Sequence, residues 1–473
     1  MTTSIINTGD SYKYGHAFQY PTNMTSMYDY MESRGGVYPA TIFAGLQYYL
    51  KRYLQVPTTD EVIKAATRAA AHGVPFDKEG WLHIVSLGHI PVTIKAVPEG
   101  MLIPTHYPLV TIESTDPKVP WIAGYLETLL MKVWYPTNIA TKSYYVKQML
   151  QKYGSPEWAQ FAYHNFGDRG SSSVESAAIG GFAHMTQFMG TDNFNALALA
   201  EEYYDAGISA AYSVFATEHS TTTSRGADGE EQFVWEQLQA NPDAPIVSFV
   251  ADSYDVYKFT DTVTNPEGRI RQLLESRPHQ KFVIRPDSGE PIEVLSGIIM
   301  HMKENGCFDA DIDGKLLSTK FGILWGDGIT PATIENILQW FTAHDSPNRP
   351  LLAAENFVFG SGGDLMQNHT RDTQRFAVKC SEITVADTDI EDILGGQEAI
   401  YTRIPVFKDP ITDPGKKSKK GKVTTYYDTE AKTFRVAQVG DIQTVHEIAL
   451  LGLVYRNGKH YETSSLSEIR DRA

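Results

Sequence analysis

Between residues 161 and 363, short apolar segments recur, and each of them runs directly into a polar or glycine-rich loop. Helix-like stretches follow most of these segments, which is the pattern of repeated strand and helix units. The predicted strands are Phe161–Tyr163, Tyr212–Phe215, Ile246–Val250, Lys281–Ile284, Phe321–Trp325 and Asn356–Phe359. Parallel strands bring the loops at their carboxyl ends to one edge of the sheet, where ligands bind. Six units over about 210 residues favour a closed barrel over an open sheet.

The flanking parts of the chain have a mixed pattern of helix-like and strand-like segments. Before residue 141 we predict helices Ala40–Leu54 and Thr59–Ala71 and strands Val92–Val97 and Leu109–Ile112. Beyond Gly395 the pattern is that of strands, over Val423–Tyr427, Thr433–Val439 and a hairpin Leu453–His460.

The predicted fold class is α/β. It consists of an irregular TIM-like α/β barrel plus a second mixed, β-rich domain built from N- and C-terminal segments. The predicted boundaries are 1–150 for the N-terminal part of the mixed domain, 151–395 for the catalytic barrel and 396–473 for the returning segment, with a Lys-rich loop at 415–422.

Composition restricts the partners. The 473 residues include 41 basic and 57 acidic side chains, a formal net charge of −16, so we expect no nucleic-acid partner. No run of about 18 apolar residues occurs, so we expect no membrane span. The first ten residues do not resemble a signal peptide, and two cysteines are too few for a disulfide framework; both features favour the reducing cytoplasm.

A glycine-rich segment, Gly360-Ser361-Gly362-Gly363, follows a predicted strand. Glycines let backbone N–H groups approach a phosphate, and Arg371 and Lys379 downstream supply positive charge. A turn without a ligand is the alternative, and the residues alone do not decide between the two.

A second segment, residues 285–289, places Arg285 and Asp287 at the end of a predicted strand. The guanidinium can hold a phosphate or a carbonyl group, and the carboxylate can hold a ribose hydroxyl or Mg²⁺. The alternative is an ordinary turn with a helix N-cap. Five polar or conformationally special residues in a row favour a functional role.

Three further features have open interpretations. His219, between Glu218 and Ser220, can act as a base, a metal ligand or a nucleophile that accepts a phosphoryl group. Phe166 and Arg169 suit a planar ring beside a phosphate, or are a core and a surface residue. The lysines of residues 416–422 form either a solvated loop or a mobile clamp over a polyphosphate.

Taken in order, these loops resemble the nicotinamide phosphoribosyltransferase family along nearly the whole chain. The most specific stretches lie at 45–48, 95–100, 134–136, 190–192, 218–221, 252–255, 284–289, 326–328, 359–363 and 416–421.

The resemblance implies a reaction. The ring nitrogen of nicotinamide displaces pyrophosphate from 5-phosphoribosyl-1-pyrophosphate (PRPP) and forms nicotinamide mononucleotide. It also implies ATP as a co-substrate that phosphorylates the histidine matching His219, Mg²⁺ as a cofactor, and a homodimer with shared active sites.

The family's motifs imply roles for individual residues. Phe166 would stack on the nicotinamide ring with Tyr12 of the partner subunit on the other face, and Asp192 would accept from the carboxamide. Ribose and its phosphate would contact Asp287, Gly326, Asp327, Gly362, Gly363, Arg371 and Lys379. The diphosphate would contact Arg34, Arg169, His219, Arg285, Lys408 and Lys416, with Mg²⁺ on Asp255 and Asp287. Arg285 would also contact the carboxamide oxygen.

Some positions depart from the family pattern. Animal members carry Tyr and Ser where this chain has Asp168 and Ala251, and Asp364 stands where a third glycine is expected. The alternatives are a nicotinate phosphoribosyltransferase and a catalytically silent binding protein. Asp192 distinguishes a nicotinamide enzyme from a nicotinate enzyme, because a carboxylate at this position repels the carboxylate of nicotinate.

Overall fold

The computed structural model describes residues 4–343, 350–412 and 416–473. Gly415, the first residue of the predicted Lys-rich loop, lies outside the described residues, as do parts of the predicted domains at 1–3 and 344–349. Among the described ranges, no helix is both long and apolar enough to cross a membrane.

The strands are β1 Met24–Ser33, β2 Ala40–Ile42, β3 Val92–Ala96, β4 Leu102–Pro104, β5 Pro108–Ser114, β6 Tyr163–Asn165, β7 Phe215–Ala216, β8 Ile246–Val250, β9 Lys281–Arg285, β10 Ala310–Ile312, β11 Lys315–Leu317, β12 Phe321–Trp325, β13 Phe357–Ser361, β14 Phe376–Ala386, β15 Tyr401–Pro405, β16 Val423–Asp428, β17 Thr433–Gln438, β18 Glu447–Ala449, β19 Gly452–Arg456 and β20 Lys459–His460.

The α-helices are α1 Leu46–Tyr53, α2 Thr59–His72, α3 Lys78–Leu87, α4 Ile122–Tyr125, α5 Glu127–Met131, α6 Trp134–Leu150, α7 Pro156–Ala159, α8 Val174–Met185, α9 Phe194–Tyr204, α10 His219–Thr223, α11 Glu230–Ala240, α12 Val256–Thr264, α13 Arg269–Glu275, α14 Pro291–Glu304, α15 Pro331–Thr342, α16 Gly363–Met366, α17 Ile390–Leu394 and α18 Leu466–Arg472. Short 3-10 helices include Ser11–Phe18, Asp168–Gly170 and Arg371–Thr373.

The chain divides into two compact units. The first unit contains 1–141, 200–206 and 369–473, and the second contains 142–199 and 207–368. The divisions fall at 142 and 369, where the sequence predicted 151 and 396. Strand β14 accounts for the later difference, because it pairs with β1 along the register from Ser33–Phe376 to Met24–Val385 and so belongs to the first unit.

The second unit is built on a parallel sheet with the strand order β6-β13-β12-β9-β8-β7. Two isolated parallel bridges, Asn165–Thr191 and Gly190–Tyr212, continue the hydrogen-bonded ladder beyond β6. Tyr212 lies three residues before β7, so the ladder returns to the segment that begins the sheet. The α/β class with a curled parallel sheet is confirmed.

The apolar strands of this sheet are buried. Strand β12 is buried along its whole length, and β8 is buried from Val247 onward. The rings of Phe249 and Phe282, on neighbouring strands, stack with centroids 5.0 Å apart. Parallel strands covered on both faces have such nearly continuous apolar sequences, which explains why they were predictable.

The first unit contains a seven-stranded antiparallel sheet of order β15-β14-β1-β5-β3-β19-β20 and a three-stranded sheet of order β17-β16-β18. The predicted helix Ala40–Leu54 is wrong in its first half. Residues 40–42 form β2, which pairs with β4, and helix α1 begins only after Gly45. Gly45 has φ 95°, a left-handed conformation that interrupts a right-handed helix.

Candidate active site

The loops that follow β6, β7, β9, β12 and β13 surround one cleft of about 630 Å³ in the second unit. We call it the mouth cleft. Its lining comprises Phe166, Gly167, Arg169, Gly170, Glu218, His219, Ser220, Arg285, Asp287, Gly326, Asp327, Gly328, Ile329, Thr330, Gly362, Gly363 and Asp364. The structure therefore brings together most of the second-unit residues that the sequence predicted, from Phe166 to Gly363.

His219 is the first residue of α10 and is about half exposed. Its Nε2 lies 3.1 Å from Oδ1 of Asp252, whose side chain is almost buried. An ionised carboxylate only accepts hydrogen bonds, so this contact places a proton on Nε2, and the neutral form of the imidazole then carries its lone pair on Nδ1. The imidazole is thus oriented with one nitrogen able to act as a nucleophile or a base.

Asp252 also holds the loop that follows β9. Its Oδ2 accepts from the backbone N–H of Asp287 at 3.1 Å and from the hydroxyl of Ser288. One carboxylate thus fixes the histidine and the segment of Asp287 together. Sequence reasoning assigned no role to Asp252; the available signal was its position just after the predicted strand 246–250.

Arg285 is the last residue of β9. Its Nη2 donates to the carbonyl oxygen of Thr217 at 2.6 Å, which anchors one side of the guanidinium. Its Nε is buried and has no hydrogen-bond partner among the described residues. A buried N–H without a partner is costly, so this group fits a site that a ligand oxygen completes.

The ring of Phe166 packs on backbone that carries no side chain. A Cβ atom at Gly360 would lie 2.1 Å from Cε2 of Phe166, and one at Gly326 would lie 3.6 Å from the same atom. A Cβ atom at Gly326 would also lie 3.4 Å from Oδ1 of Asp287. These glycines bring the aromatic ring and the carboxylate close to each other at the cleft floor.

A second cavity of about 520 Å³ is lined by residues of the parallel strands and of the segments that flank them, and we call it the inner cavity. It shares Phe166 and Arg285 with the mouth cleft, but most of its lining is apolar, including Phe161, Tyr212, Phe215, Ile246, Val283, Ile323 and Leu324. It extends along β9 from Arg285 to Lys281.

Asp192 lines this inner cavity and is not among the residues of the mouth cleft. The hydroxyl of Ser213 donates to its Oδ1 at 2.5 Å. His164 lines the same cavity, where burial lowers the pKa of its imidazole and the nearby Asp192 carboxylate opposes that shift. The inner cavity therefore presents the Asp192 carboxylate in largely apolar surroundings, with Glu355 and Lys281 as further charged residues of its lining.

The two predicted magnesium ligands occupy different positions. Asp287 lines the mouth cleft, whereas Asp255 is the N-cap of α12 and accepts from the backbone N–H groups of Tyr257 and Lys258, at 3.0 Å each. No group of three or more His, Cys, Asp or Glu among the described residues could hold a metal by itself. In the mouth cleft, Asp287 could supply one carboxylate ligand to a Mg²⁺ ion, and the other ligands would have to come from substrate phosphates or water.

The remaining predicted residues lie in the first unit. Arg34 donates to Glu32 at 2.9 Å, and Lys379, on β14, has its pKa lowered by burial and further by the charge of Arg34. Arg371 contacts Asp372 at 2.9 Å. The structure thus brings Arg34 and Lys379 near each other, while the exposed residues of this group are Tyr12, Arg371, Lys408 and Lys416.

Comparisons with known proteins identify the family. The model of the nicotinate phosphoribosyltransferase family matches residues 161–447, and that of the nicotinamide phosphoribosyltransferase N-terminal domain matches residues 4–94. The nicotinamide phosphoribosyltransferase of Xanthomonas campestris pv. campestris (strain 8004) is 40% identical over 99% of this chain and 97% of its own. The protein of the same name from Acinetobacter baylyi is 28% identical over 99% of this chain and 96% of its own.

Solved structures show the same fold at low sequence identity. The nicotinate-nucleotide pyrophosphorylase from Pyrococcus furiosus superposes with a TM-score of 0.61 at 14% identity, covering 98% of this chain and 93% of its own. Human nicotinic acid phosphoribosyltransferase gives a TM-score of 0.56 at 14% identity, covering 98% of this chain and 92% of its own.

Proposed function

Because this chain belongs to the nicotinamide phosphoribosyltransferases, within the nicotinate phosphoribosyltransferase family, we propose that it transfers the phosphoribosyl group of PRPP to nicotinamide. The products are nicotinamide mononucleotide and pyrophosphate, as in NAD salvage. One observation carries this proposal: the polar mouth cleft meets an apolar cavity containing Asp192 at the shared residues Phe166 and Arg285. The cleft suits phosphates and the cavity suits a neutral ring.

Recognition of the ring follows from the inner cavity. Phe166 offers its face to the pyridine ring, and Asp192, oriented by Ser213, accepts from the carboxamide NH₂. A second carboxylate close to Asp192 would be repelled, so nicotinate binds less favourably than nicotinamide. The free Nε–H of Arg285 is suited to the carboxamide oxygen or the diphosphate.

Transfer of the phosphoribosyl group breaks the bond from C1 to the diphosphate oxygen and forms a bond from C1 to the ring nitrogen. Asp287 holds the ribose, and its negative charge favours the positive charge that develops there. Gly326, Asp327, Gly362 and Gly363 hold the ribose phosphate. Asp287 and, as the family pattern implies, Asp255 would hold a Mg²⁺ ion together with the substrate phosphates, and the ion would supply positive charge to the departing pyrophosphate.

We further propose that ATP drives the reaction through His219. Because Asp252 holds Nε2–H, Nδ1 attacks the γ-phosphorus of ATP; the N–P bond forms as the bond to ADP breaks. Water later hydrolyses the phosphohistidine and releases inorganic phosphate. Asp252 stabilises the positive charge of the imidazole during both steps.

The predicted residues of the first unit are proposed to complete the site in a homodimer. Tyr12 would cover the second face of the ring, and Arg34, Arg371, Lys379, Lys408 and Lys416 would bind phosphate groups. We also propose that the parallel sheet closes into a barrel with an irregular seam, which the bridges at Thr191 and Tyr212 support.

We propose a cytoplasmic location for the protein. The free thiols of Cys307 and Cys380 support it.

A competition assay tests the function. The purified protein is mixed with equimolar nicotinamide and nicotinate, PRPP, Mg²⁺ and ATP, and the mononucleotide is identified. We expect nicotinamide mononucleotide. Nicotinate mononucleotide would contradict the substrate and the role of Asp192, and the absence of both products would contradict the enzymatic function.

A further inference from the structure

The position that departs from the family's glycine pattern, Asp364, is bonded to a buried lysine in the same unit. Nζ of Lys142, on α6, lies 2.6 Å from the carboxylate Oδ2 of Asp364. The same Nζ donates to the backbone carbonyl oxygen of Asp364 at 2.8 Å. Lys142 is only 5% exposed. The other carboxylate oxygen accepts from Nδ2 of Asn368 at 3.0 Å. One lysine thus holds both the side chain and the backbone of this residue.

Asp364 lines the mouth cleft directly after Gly362 and Gly363. A lone carboxylate at this point would repel the phosphate that these glycines are proposed to bind. The paired ammonium cancels that charge, and a charge pair with little exposure is only weakly screened by salt. Burial lowers the pKa of Lys142, and the Asp364 carboxylate opposes that shift.

The pair also restrains the conformation of the loop. Helix α16 is a single turn from Gly363 to Met366, too short to be stable by itself. Besides local backbone bonds, such as those from Met366 N–H to the Gly362 carbonyl at 3.0 Å and from Gln367 N–H to the Gly363 carbonyl at 2.8 Å, the turn is tied to α6 through Lys142. Lys142 is therefore placed to set where the two glycine N–H groups point.

We propose that Lys142 is a positioning residue for phosphate binding: it neutralises Asp364 and holds the Gly362-Gly363 turn in the conformation that accepts the 5-phosphate of a phosphoribosyl ligand. This inference rests on the proposed function. It explains how this chain accommodates an acidic side chain at a position where a glycine is expected.

The test compares Lys142→Met, Asp364→Asn and the double variant. The probe is ribose 5-phosphate, titrated calorimetrically, with KM for PRPP and for nicotinamide and the thermal midpoint measured in parallel. Lys142→Met should weaken the binding of ribose 5-phosphate about tenfold, since the substitution leaves the Asp364 carboxylate unpaired beside the phosphate. The double variant should recover most of that loss, and KM for nicotinamide should change little. Lys152→Met, at an exposed lysine two residues after α6, is the matched control.

The outcomes separate the possible roles. If the affinity for ribose 5-phosphate and the KM for nicotinamide worsen by equal factors, and the double variant does not recover, the pair is merely structural and the proposal is overturned. If Lys142→Met does not fold, Asp364→Asn decides: binding at least as tight as that of the wild type supports the proposal, and weaker binding overturns it. If the wild-type protein does not bind ribose 5-phosphate, the proposed function itself is contradicted. If all three variants bind it as tightly as the wild type, only this inference is contradicted.

Discussion

The mouth cleft and the inner cavity lie side by side in the second unit and share Phe166 and Arg285, yet their chemistry differs. The cleft is lined by charged side chains and by glycines, whereas the cavity is lined mainly by aliphatic and aromatic groups with Asp192 among them. The difference follows from the strands. Residues within a strand are apolar because they pack inside the ring, and residues just beyond its carboxyl end are free to be polar. The proposed function therefore places phosphate chemistry and ring recognition on adjacent but separate surfaces.

The largest effect is expected for His219→Ala, which removes the proposed nucleophile of the cleft. ATP hydrolysis and the stimulation of transfer by ATP should both be lost, leaving a slow ATP-independent transfer. The choice between nicotinamide and nicotinate should persist, because the cavity is unchanged. Labelling from the γ-phosphate of ATP measures the first effect, with the exposed His279→Ala as the control. Persistent labelling would refute the phosphohistidine.

The converse effect is expected for Asp192→Asn in the cavity. Loss of the carboxylate should lower kcat/KM for nicotinamide about 100-fold and raise the relative use of nicotinate, because the repelling charge is gone. ATP hydrolysis should remain. Steady-state kinetics with both bases measure this, alongside the exposed Asp243→Asn. Unchanged kinetics with nicotinamide would remove Asp192 from the site.

A change at the boundary should affect both surfaces. Gly360→Ala places a methyl group where the ring of Phe166 lies, so the ring must move. We expect KM values for nicotinamide and PRPP to rise about tenfold together, a typical effect of overpacking. Gly207→Ala, at a glycine with open space around its Cβ position, is the matched control. A rise in only one KM would mean that Phe166 serves one surface alone.

The smallest effect concerns His164 in the cavity. Burial lowers the pKa of this imidazole below the value of about 6.5 for an unfolded chain, so the unfolded state binds the proton more readily. Stability should thus fall as the pH drops from about 6.5 towards the folded pKa, by about 1 kcal/mol or less. Thermal unfolding measured across this pH range should show that the stability of His164→Gln depends less steeply on pH than that of the wild type. An identical dependence would mean that the cavity tolerates the charge.

Much of the parallel sheet could be predicted, because its signal is local. Strands Ile246–Val250 and Phe321–Trp325 have the predicted bounds, since each is an unbroken apolar run ended by a polar loop. Local signals also mislead. The segment Ala40–Leu54 contains enough helix-forming residues to hide β2, whose pairing with β4 is made by residues about 60 positions away.

Contacts between distant residues could not be predicted. Asp252 and His219 are 33 residues apart, and Lys142 and Asp364 are 222 apart. Their meeting depends on how the strands are ordered in the ring. The sequence indicated that Asp364 departs from the family pattern, but only the fold reveals the cation that compensates it.

The curled parallel sheet is not joined equally along its width. Strands β8 and β9 are paired along five residues, whereas the ladder beyond β6 continues through the single bridges at Asn165–Thr191 and Gly190–Tyr212. Fewer bonds must break to part the sheet there, so backbone amides at this seam should exchange with solvent sooner than those of β8 and β9. Asp192 and Ser213 each follow the seam by one residue. The carboxylate that we propose selects the base is therefore carried by this weakly joined seam, so we expect the choice of substrate to be linked to the rate at which the base enters and leaves.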